Sequence, residues 1–336
     1  MKHLFIAHSH TLTLSALGTI DYLKLKHQDC IFLCTRNYIM PEELTDCKTV
    51  DANQLYIEFN RQLTGSLLQN YKEIKRFDKY LNEWTKGDVY NFYPPHLGGF
   101  FILIATNRKC KKVSLVQEGA YTIPGMFINH LSLLQKVRYW LSSLKHNGSF
   151  RTYSFGKWYI DGCLPFQKKI DLYATSESFF QYMPKKKGVF HKISWPTCKK
   201  ELHIEYSDAP IFIFDGFVAN GVVDKDVYMS ACKRIIEENF KDINYLKFHP
   251  AQQQEERKVI ISFFDKMGVR SEIFTETNPF EFYITNCKNL TIVGFSSSLL
   301  MYAKDAGHKV IARSSWLLES PLYKAIVEEG YPVFDN

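Results

Sequence analysis

The sequence lacks the features that define several large classes of protein. No apolar run approaches the roughly 18 residues that a membrane-spanning helix needs, and segments such as 98–105 are the longest. The first residues carry one lysine and a short apolar stretch before the polar run His8-Ser9-His10, which is too short for a signal-peptide core. These absences predict a cytoplasmic protein.

The short motifs of the common cofactor enzymes are also missing. The chain contains no GxGxxG and no GxxxxGK[ST] sequence, which argues against a dinucleotide oxidoreductase and a P-loop NTPase. Its eight cysteines form no CxxC pair and no Cys/His cluster with the spacing of metal ligands. We therefore expect reduced cysteines, no bound metal and no cofactor.

The chain carries a net positive charge. With 42 Lys and Arg against 35 Asp and Glu, the formal net charge is +7, in a chain that is otherwise ordinary for a globular protein, with 46% apolar residues. Such a surplus suits anionic substrates and is also compatible with peripheral contact with the anionic inner membrane surface. No nucleic-acid-binding motif accompanies it, so a nucleic-acid partner is not expected.

Strands and helices alternate along the chain. In the second half, short apolar runs at 211–214, 245–248, 290–293 and 309–312 are separated by helical patterns, and runs at 4–7, 31–35, 89–93, 113–116 and 170–174 repeat this pattern less regularly in the first half. Such alternation predicts parallel sheets. We expect an α/β protein of two Rossmann-like domains that face a cleft, residues 1–205 and 206–315, with a helix in 316–336 that packs back on the first domain.

The two most informative motifs follow predicted strands of the second half. His249-Pro250 ends one strand, and Ser296, Ser297 and Ser298 end another. In an open α/β sheet, ligands bind at the carboxyl ends of the strands. Free N–H groups and small side chains at a helix start suit a phosphate, and an imidazole can donate a hydrogen bond to it. The pattern predicts that a departing nucleotide phosphate is held between a cationic His249 and these amides.

Two acidic residues stand at comparable positions. Glu118-Gly119 follows the predicted strand at 113–116, and partial desolvation there would raise its pKa toward that of a general base. Asp215-Gly216 closes the strand at 211–214 and could act as a base or contact a ribose. His8 and Ser9 follow the first strand, and with Gln117 they are expected to contact substrate.

At these motifs the chain resembles the bacterial sialyltransferases of lipooligosaccharide and capsule, which have the GT-B glycosyltransferase fold. Their signature combines an acidic-acidic-Gly motif, a His-Pro and a Ser-rich pair or triplet, matched here by Gln117-Glu118-Gly119, His249-Pro250 and Ser296 to Ser298. The resemblance is clearest over 208–313. Gln117 departs from it by replacing the first acidic residue.

The resemblance implies a metal-independent, inverting transfer of a nonulosonic acid from its CMP-sugar to a glycan hydroxyl. The first domain would bind the acceptor and the second the donor. The donor would be contacted by Gly216, Pro250 and the three serines, and also by Gly119 of the first domain. Glu118 resembles the general base, and Asp215 is the alternative, while His249 resembles the residue that assists departure of the CMP phosphate.

Other functions fit parts of the same pattern. Polyol-phosphate transferases that use CDP-glycerol or CDP-ribitol also combine a His-Pro with a Ser-Ser loop. A nucleotide-sugar epimerase or hydrolase would need no acceptor. A non-catalytic partner in polysaccharide assembly would use only the basic surface.

Overall fold

Two compact units make up the protein, Met1–Pro196 and Thr197–Asn336, and each contains a parallel β-sheet with helical connections. The expected α/β class with two Rossmann-like domains is therefore confirmed. The predicted boundary at 205/206 falls outside the described residues, and the facing of the two units across a cleft stays a prediction. The structure, a computed structural model, describes residues 1–41, 44–59, 67–97, 100–118, 169–180, 188–196, 208–249, 251–274, 279–331 and 333–336.

Seven strands are described in the first unit. They are β1 (Lys2–Ala7), β2 (Cys30–Cys34), β3 (Lys48–Asp51), β4 (Tyr90–Tyr93), β5 (Cys110–Val116), β6 (Ile170–Ala174) and β7 (Gly188–Lys192). Their order in the sheet is β3-β2-β1-β4-β5-β6-β7, and all pairings are parallel. The inner strands β1 and β2 are nearly continuous apolar runs and are buried, as strands covered on both faces must be.

Four helices of the first unit are described, α1 (His10–Tyr22), α2 (Asn53–Phe59), α3 (Leu67–Thr85) and α4 (Phe100–Ala105). Ser9 caps the start of helix α1: its hydroxyl accepts a hydrogen bond from the backbone N–H of Leu12 at 3.2 Å. Helix α1 ends at Tyr22, and Lys24 then adopts a left-handed φ of 53°, which an α-helix cannot continue through.

Among its described residues, the second unit has five strands in one sheet and five α-helices. The strands are β8 (Pro210–Ile213), β9 (Ile243–Lys247), β10 (Arg270–Ile273), β11 (Thr291–Gly294) and β12 (Lys309–Ala312). They pair in parallel in the order β10-β9-β8-β11-β12. The helices are α5 (Lys225–Asn239), α6 (Gln254–Lys266), α7 (Phe280–Asn286), α8 (Ser298–Asp305) and α9 (Pro321–Glu328).

The last residues of the chain pack into the core of the second unit. Tyr323 of α9 and Leu317 before it are fully buried there, in one cluster with Phe212, Tyr228 and Phe295. Asp224, just before α5, accepts a hydrogen bond from the Ser320 hydroxyl, which ties the start of α5 to the start of α9. The segment 316–336 therefore completes the second unit, and its expected packing on the first unit stays a prediction.

No helix in the described parts of the chain is both long and apolar enough to cross a membrane. The lysine runs at 185–187 and 199–200, which contribute to the positive charge of the chain, lie outside the described residues. Peripheral membrane contact stays a prediction.

Candidate active site

Three neighbouring strands of the second unit end at one level of the sheet. The last residue of β8, Ile213, pairs with Lys247 of β9 on one side and with Gly294 of β11 on the other. Asp215, His249 and Ser296 are each the second residue after one of these strands. The predicted site residues of the second half thus share one sheet edge, where open α/β sheets bind ligands.

His249 lies against the backbone of Gly216. A β-carbon on Gly216 would be 2.5 Å from His249 Nδ1, so only glycine allows this approach without a shift. The same Nδ1 accepts a hydrogen bond from the backbone N–H of Ala251 at 3.1 Å, and the His249 carbonyl accepts one from Arg257 at 3.0 Å. An Nδ1 that accepts carries no proton, which places the proton on Nε2. This contact suits a neutral imidazole that donates through Nε2–H, and the cationic state expected for His249 stays a prediction.

Gly216→Ala is expected to displace the His249 imidazole with little loss of stability, because the ring is exposed and can move. Gly294→Ala is the matched control: its β-carbon would be 2.7 Å from the Ile213 carbonyl oxygen, which cannot move without disturbing the sheet. We expect it to cost about 1–3 kcal/mol of unfolding free energy. Thermal denaturation and the ¹⁵N resonances of His249 measure both effects, and unchanged His249 resonances in Gly216→Ala would contradict the contact.

Asp215 is the buried carboxyl group of this edge. Its backbone N–H donates to the hydroxyl of Tyr228 at 2.7 Å, and that hydroxyl donates to the Asp215 carbonyl at 3.0 Å, so a buried side chain of α5 fixes its position. Burial raises the pKa of Asp215 to about 7, against the opposing effect of the Ser296 N–H at 3.4 Å from Oδ2. A carboxyl with a pKa near neutrality has the property sought in a general base.

The three serines form the start of α8. The Ser297 hydroxyl accepts a hydrogen bond from the N–H of Leu299 at 3.4 Å, so it caps the helix. The backbone N–H groups of Ser297 and Ser298 precede the intrahelical pattern and have no acceptor within the helix. Capping and anion binding are therefore compatible here: the Ser297 hydroxyl caps the helix, and the backbone N–H groups of Ser297 and Ser298 can bind an anion.

The first unit brings a second group of side chains together at the carboxyl edge of its own sheet. Glu118 Oε1 is 2.6 Å from His8 Nε2 and accepts a hydrogen bond from Arg36 Nη1 at 3.1 Å. His8 follows β1, Arg36 follows β2 and Glu118 follows β5, so the parallel sheet places all three at one edge. His8 is almost fully buried, with 1% of its side chain exposed, and Glu118 is 30% exposed.

The pKa of Glu118 is lowered, which corrects the expectation of a raised value. Burial does raise the pKa, but the hydrogen bond and charge of His8, with His96 and Arg36, outweigh it. His96 itself stays neutral over most of the pH range, since burial lowers its pKa to about 4 despite the nearby Glu118. Glu118 is therefore an ionised hydrogen-bond acceptor at neutral pH and a weak base.

Sequence reasoning missed Arg36 and His96, although both follow predicted strands. The rule that singled out Glu118 and Asp215, a polar residue just beyond a strand end, applies equally to Arg36 after β2 and His96 after β4. The sequence around Arg36, Thr35-Arg36-Asn37, matches no motif, so only its position after a strand could have indicated it.

The other predicted residues are placed as follows. The Gln117 side chain is buried, and its Oε1 accepts hydrogen bonds from the Thr175 N–H at 2.9 Å and hydroxyl at 3.2 Å, which joins the ends of β5 and β6. The Ser9 hydroxyl caps α1. These bonds give Gln117 and Ser9 structural roles, and substrate contact by either stays a prediction. Gly119 and Pro250 lie outside the described residues.

Within the described ranges, no three His, Cys, Asp or Glu side chains are grouped so that they could hold a metal ion. The expected metal-independent reaction stays a prediction.

No protein-family model matches the chain, and no curated protein matches it in sequence. Several solved structures are similar to it. A sialyltransferase from Photobacterium damsela is 14% identical with a TM-score of 0.48, over 98% of this chain and 79% of that one. A UDP-GlcNAc 2-epimerase from Methanocaldococcus jannaschii, in complex with UDP-GlcNAc and UDP, has the same identity and TM-score over 98% and 88%. A glycosyltransferase from Rickettsia africae is 11% identical with a TM-score of 0.45, over 93% and 78%. Identities this low with TM-scores below 0.5 assign neither a family nor a donor to this chain.

Proposed function

We propose that the protein is a glycosyltransferase that moves sialic acid or a related nonulosonic acid from its CMP-sugar to a glycan hydroxyl of lipooligosaccharide or capsule, by an inverting mechanism without a metal. The observation that carries the proposal is the edge of the second sheet. There, a carboxyl with a pKa near 7, an imidazole with its proton on Nε2 and the amides of a helix start follow three adjacent strands.

Each group has a part in the proposed transfer. As the bond between the sugar's anomeric carbon and the phosphate oxygen breaks, negative charge grows on the departing CMP. The Nε2–H of His249 and the N–H groups of Ser297 and Ser298 donate hydrogen bonds to it, which stabilises the charge as it develops. A neutral imidazole keeps its proton in this role, and CMP leaves as a phosphate anion.

The base in this proposal is Asp215. The acceptor oxygen forms the new bond to the anomeric carbon and gives its proton to the Asp215 carboxylate, which later releases it to solvent. Asp215 is preferred over Glu118 for this step, because burial raises its pKa to about 7 whereas the pKa of Glu118 is lowered. A base works best when its pKa lies near the working pH.

Nucleotide binding tests the proposal. CMP at about a hundred times its dissociation constant is expected to add roughly 2.7 kcal/mol to the unfolding free energy, and so to raise the melting temperature by about 5 °C or more. CDP, UDP and GDP should give smaller shifts at equal concentration. Stabilisation by UDP or GDP and not by CMP would rule out the proposed donor, and a preference for CDP would favour a polyol-phosphate transferase.

A further inference from the structure

The Glu118 carboxylate is bonded unevenly. Both His8 and Arg36 contact Oε1, while Oε2 has no hydrogen-bond partner among the residues that the structure describes. Two donors on one oxygen hold the carboxylate in a fixed orientation, and the side chain is 30% exposed. The second oxygen is thus an oriented acceptor that a ligand can reach.

We propose that Arg36 is the positioning residue of a sugar-binding site in the first unit, and that Glu118 contacts the sugar by accepting a hydrogen bond from one of its hydroxyl groups at Oε2. This proposal rests on the proposed function: Glu118 recognises the acceptor glycan, and Asp215 is the base. It adds Arg36, which carries no motif, to the functional residues.

The charges around Glu118 suit a neutral ligand. Arg36 balances the carboxylate, while His8 and His96 are the other titratable groups that interact with it. A carboxylate accepts strong hydrogen bonds from hydroxyl groups but repels an anion at the same position. The ligand we expect at Oε2 is therefore an uncharged, hydroxyl-bearing face of a glycan.

The loop that carries Arg36 is held in an unfavourable backbone conformation. Arg36 and Asn37 both have φ of 57°, in the left-handed region that non-glycine residues seldom occupy. The Asn37 N–H donates to Asn53 Oδ1, and Asn53 in turn donates to Asp51 Oδ1 at 2.9 Å. Strained residues persist where the surroundings fix them, and they are concentrated at functional sites.

The guanidinium of Arg36 is also fixed from its other side. Arg36 Nε donates to the Tyr56 hydroxyl at 3.2 Å, and the guanidinium carbon lies 6.0 Å from the centre of that ring. Near it along the chain, the Tyr38 hydroxyl is 3.0 Å from His10 Nδ1. Planar polar side chains in set orientations give a rigid surface, which binds a hydroxyl-rich ligand with little ordering cost.

The test compares Arg36→Met with a matched control, Arg76→Met. Arg76 is also about half exposed, is paired with Glu58 and Glu73, and has its guanidinium 5.5 Å from the Phe59 ring, but it is not among the described residues that contact Glu118. In a carboxyl ¹³C NMR titration we expect the pKa of Glu118 to rise in Arg36→Met and to stay at the wild-type value in Arg76→Met. An unchanged pKa in Arg36→Met would overturn the positioning role.

Binding to an array of neutral oligosaccharides, without any donor present, tests the site itself. Wild type and Arg76→Met should bind the same glycans, and Arg36→Met and Glu118→Gln should bind them at least tenfold more weakly. Equal binding by all four proteins, or no binding by the wild type, would overturn the inference. The shift in melting temperature caused by CMP depends on the second unit. If CMP caused no shift, the proposed function would be contradicted, and the result of the glycan-binding test would be unaffected.

Discussion

Asp215→Asn is expected to make the protein more stable than the wild type at pH 8.5, by as much as about 4 kcal/mol, and nearly equal to it at pH 4. Burial raises the pKa of the folded-state carboxyl to about 7, so the folded protein holds a proton that the unfolded chain has lost between about pH 4 and 7. Stability from this group is therefore present at low pH and is lost as pH rises through 7. Asparagine is neutral at every pH and avoids the loss.

Asp171→Asn provides a control of opposite sign. Asp171 is paired with Lys112 and with His191, whose Nε2 is 3.0 Å away, and these partners outweigh burial and lower its pKa. Its stabilising effect is present at neutral pH and is lost as pH falls through the folded-state pKa. Asp171→Asn should therefore destabilise the protein at neutral pH. Chemical denaturation from pH 4 to 8.5 measures the unfolding free energy of both variants. If Asp215→Asn were less stable than the wild type at pH 8.5, the raised pKa of the buried Asp215 carboxyl would be contradicted.

Asp215→Asn is also expected to lower transfer from a CMP-sugar by about 10²–10⁴-fold, because it removes the proposed base and keeps the volume of the side chain. In the wild type, the transfer rate should rise with pH through a midpoint near 7 as Asp215 ionises. A rate that is already at its maximum at pH 5 would instead indicate a base of low pKa, as Glu118 has.

His249→Ala is expected to lower CMP release by about 10²–10³-fold, the loss typical of removing one donor to a developing anion. Because the proton lies on Nε2, His249→Gln should restore part of the rate: the Gln amide nitrogen reaches about as far as Nε2. His249→Asn, whose shorter amide matches Nδ1, should not. Single-turnover release of CMP from a CMP-sugar measures all three.

His308 is the matched histidine for these variants. Its Nδ1 accepts from the Leu290 N–H at 3.3 Å and its Nε2 is 2.9 Å from the Ile284 carbonyl oxygen, so both ring nitrogens bond to backbone. His308→Ala should lower the melting temperature and leave turnover per folded molecule unchanged. Equal turnover in His249→Gln and His249→Asn would contradict the assignment of the proton to Nε2.

The sequence predicted the second unit more fully than the first. Four of its described strands overlap the apolar runs expected from the sequence, and the run expected at 309–312 coincides with β12. The outer strands β3 and β7 were missed because their residues are polar or half-exposed, and only pairing with β2 and β6 identifies them as strands. Edge strands of this kind have no periodic apolar pattern to detect.

Site positions were predictable where topology alone determines them, and site chemistry was not. His249, Asp215 and Ser296 were expected at one sheet edge because parallel strands share a direction. The pKa of Glu118 is lowered chiefly by His8 and less by His96 and Arg36, and His8 and Arg36 are remote from it in the sequence. Such pairings arise from three-dimensional contacts that have no local sequence signal.

A crystal structure of the protein with CMP tests the central claim most directly. We predict a phosphate oxygen within about 3.2 Å of His249 Nε2 and another within that distance of the Ser297 or Ser298 backbone nitrogen. A phosphate bound elsewhere, with His249 and the start of α8 both uncontacted, would contradict the proposed mechanism.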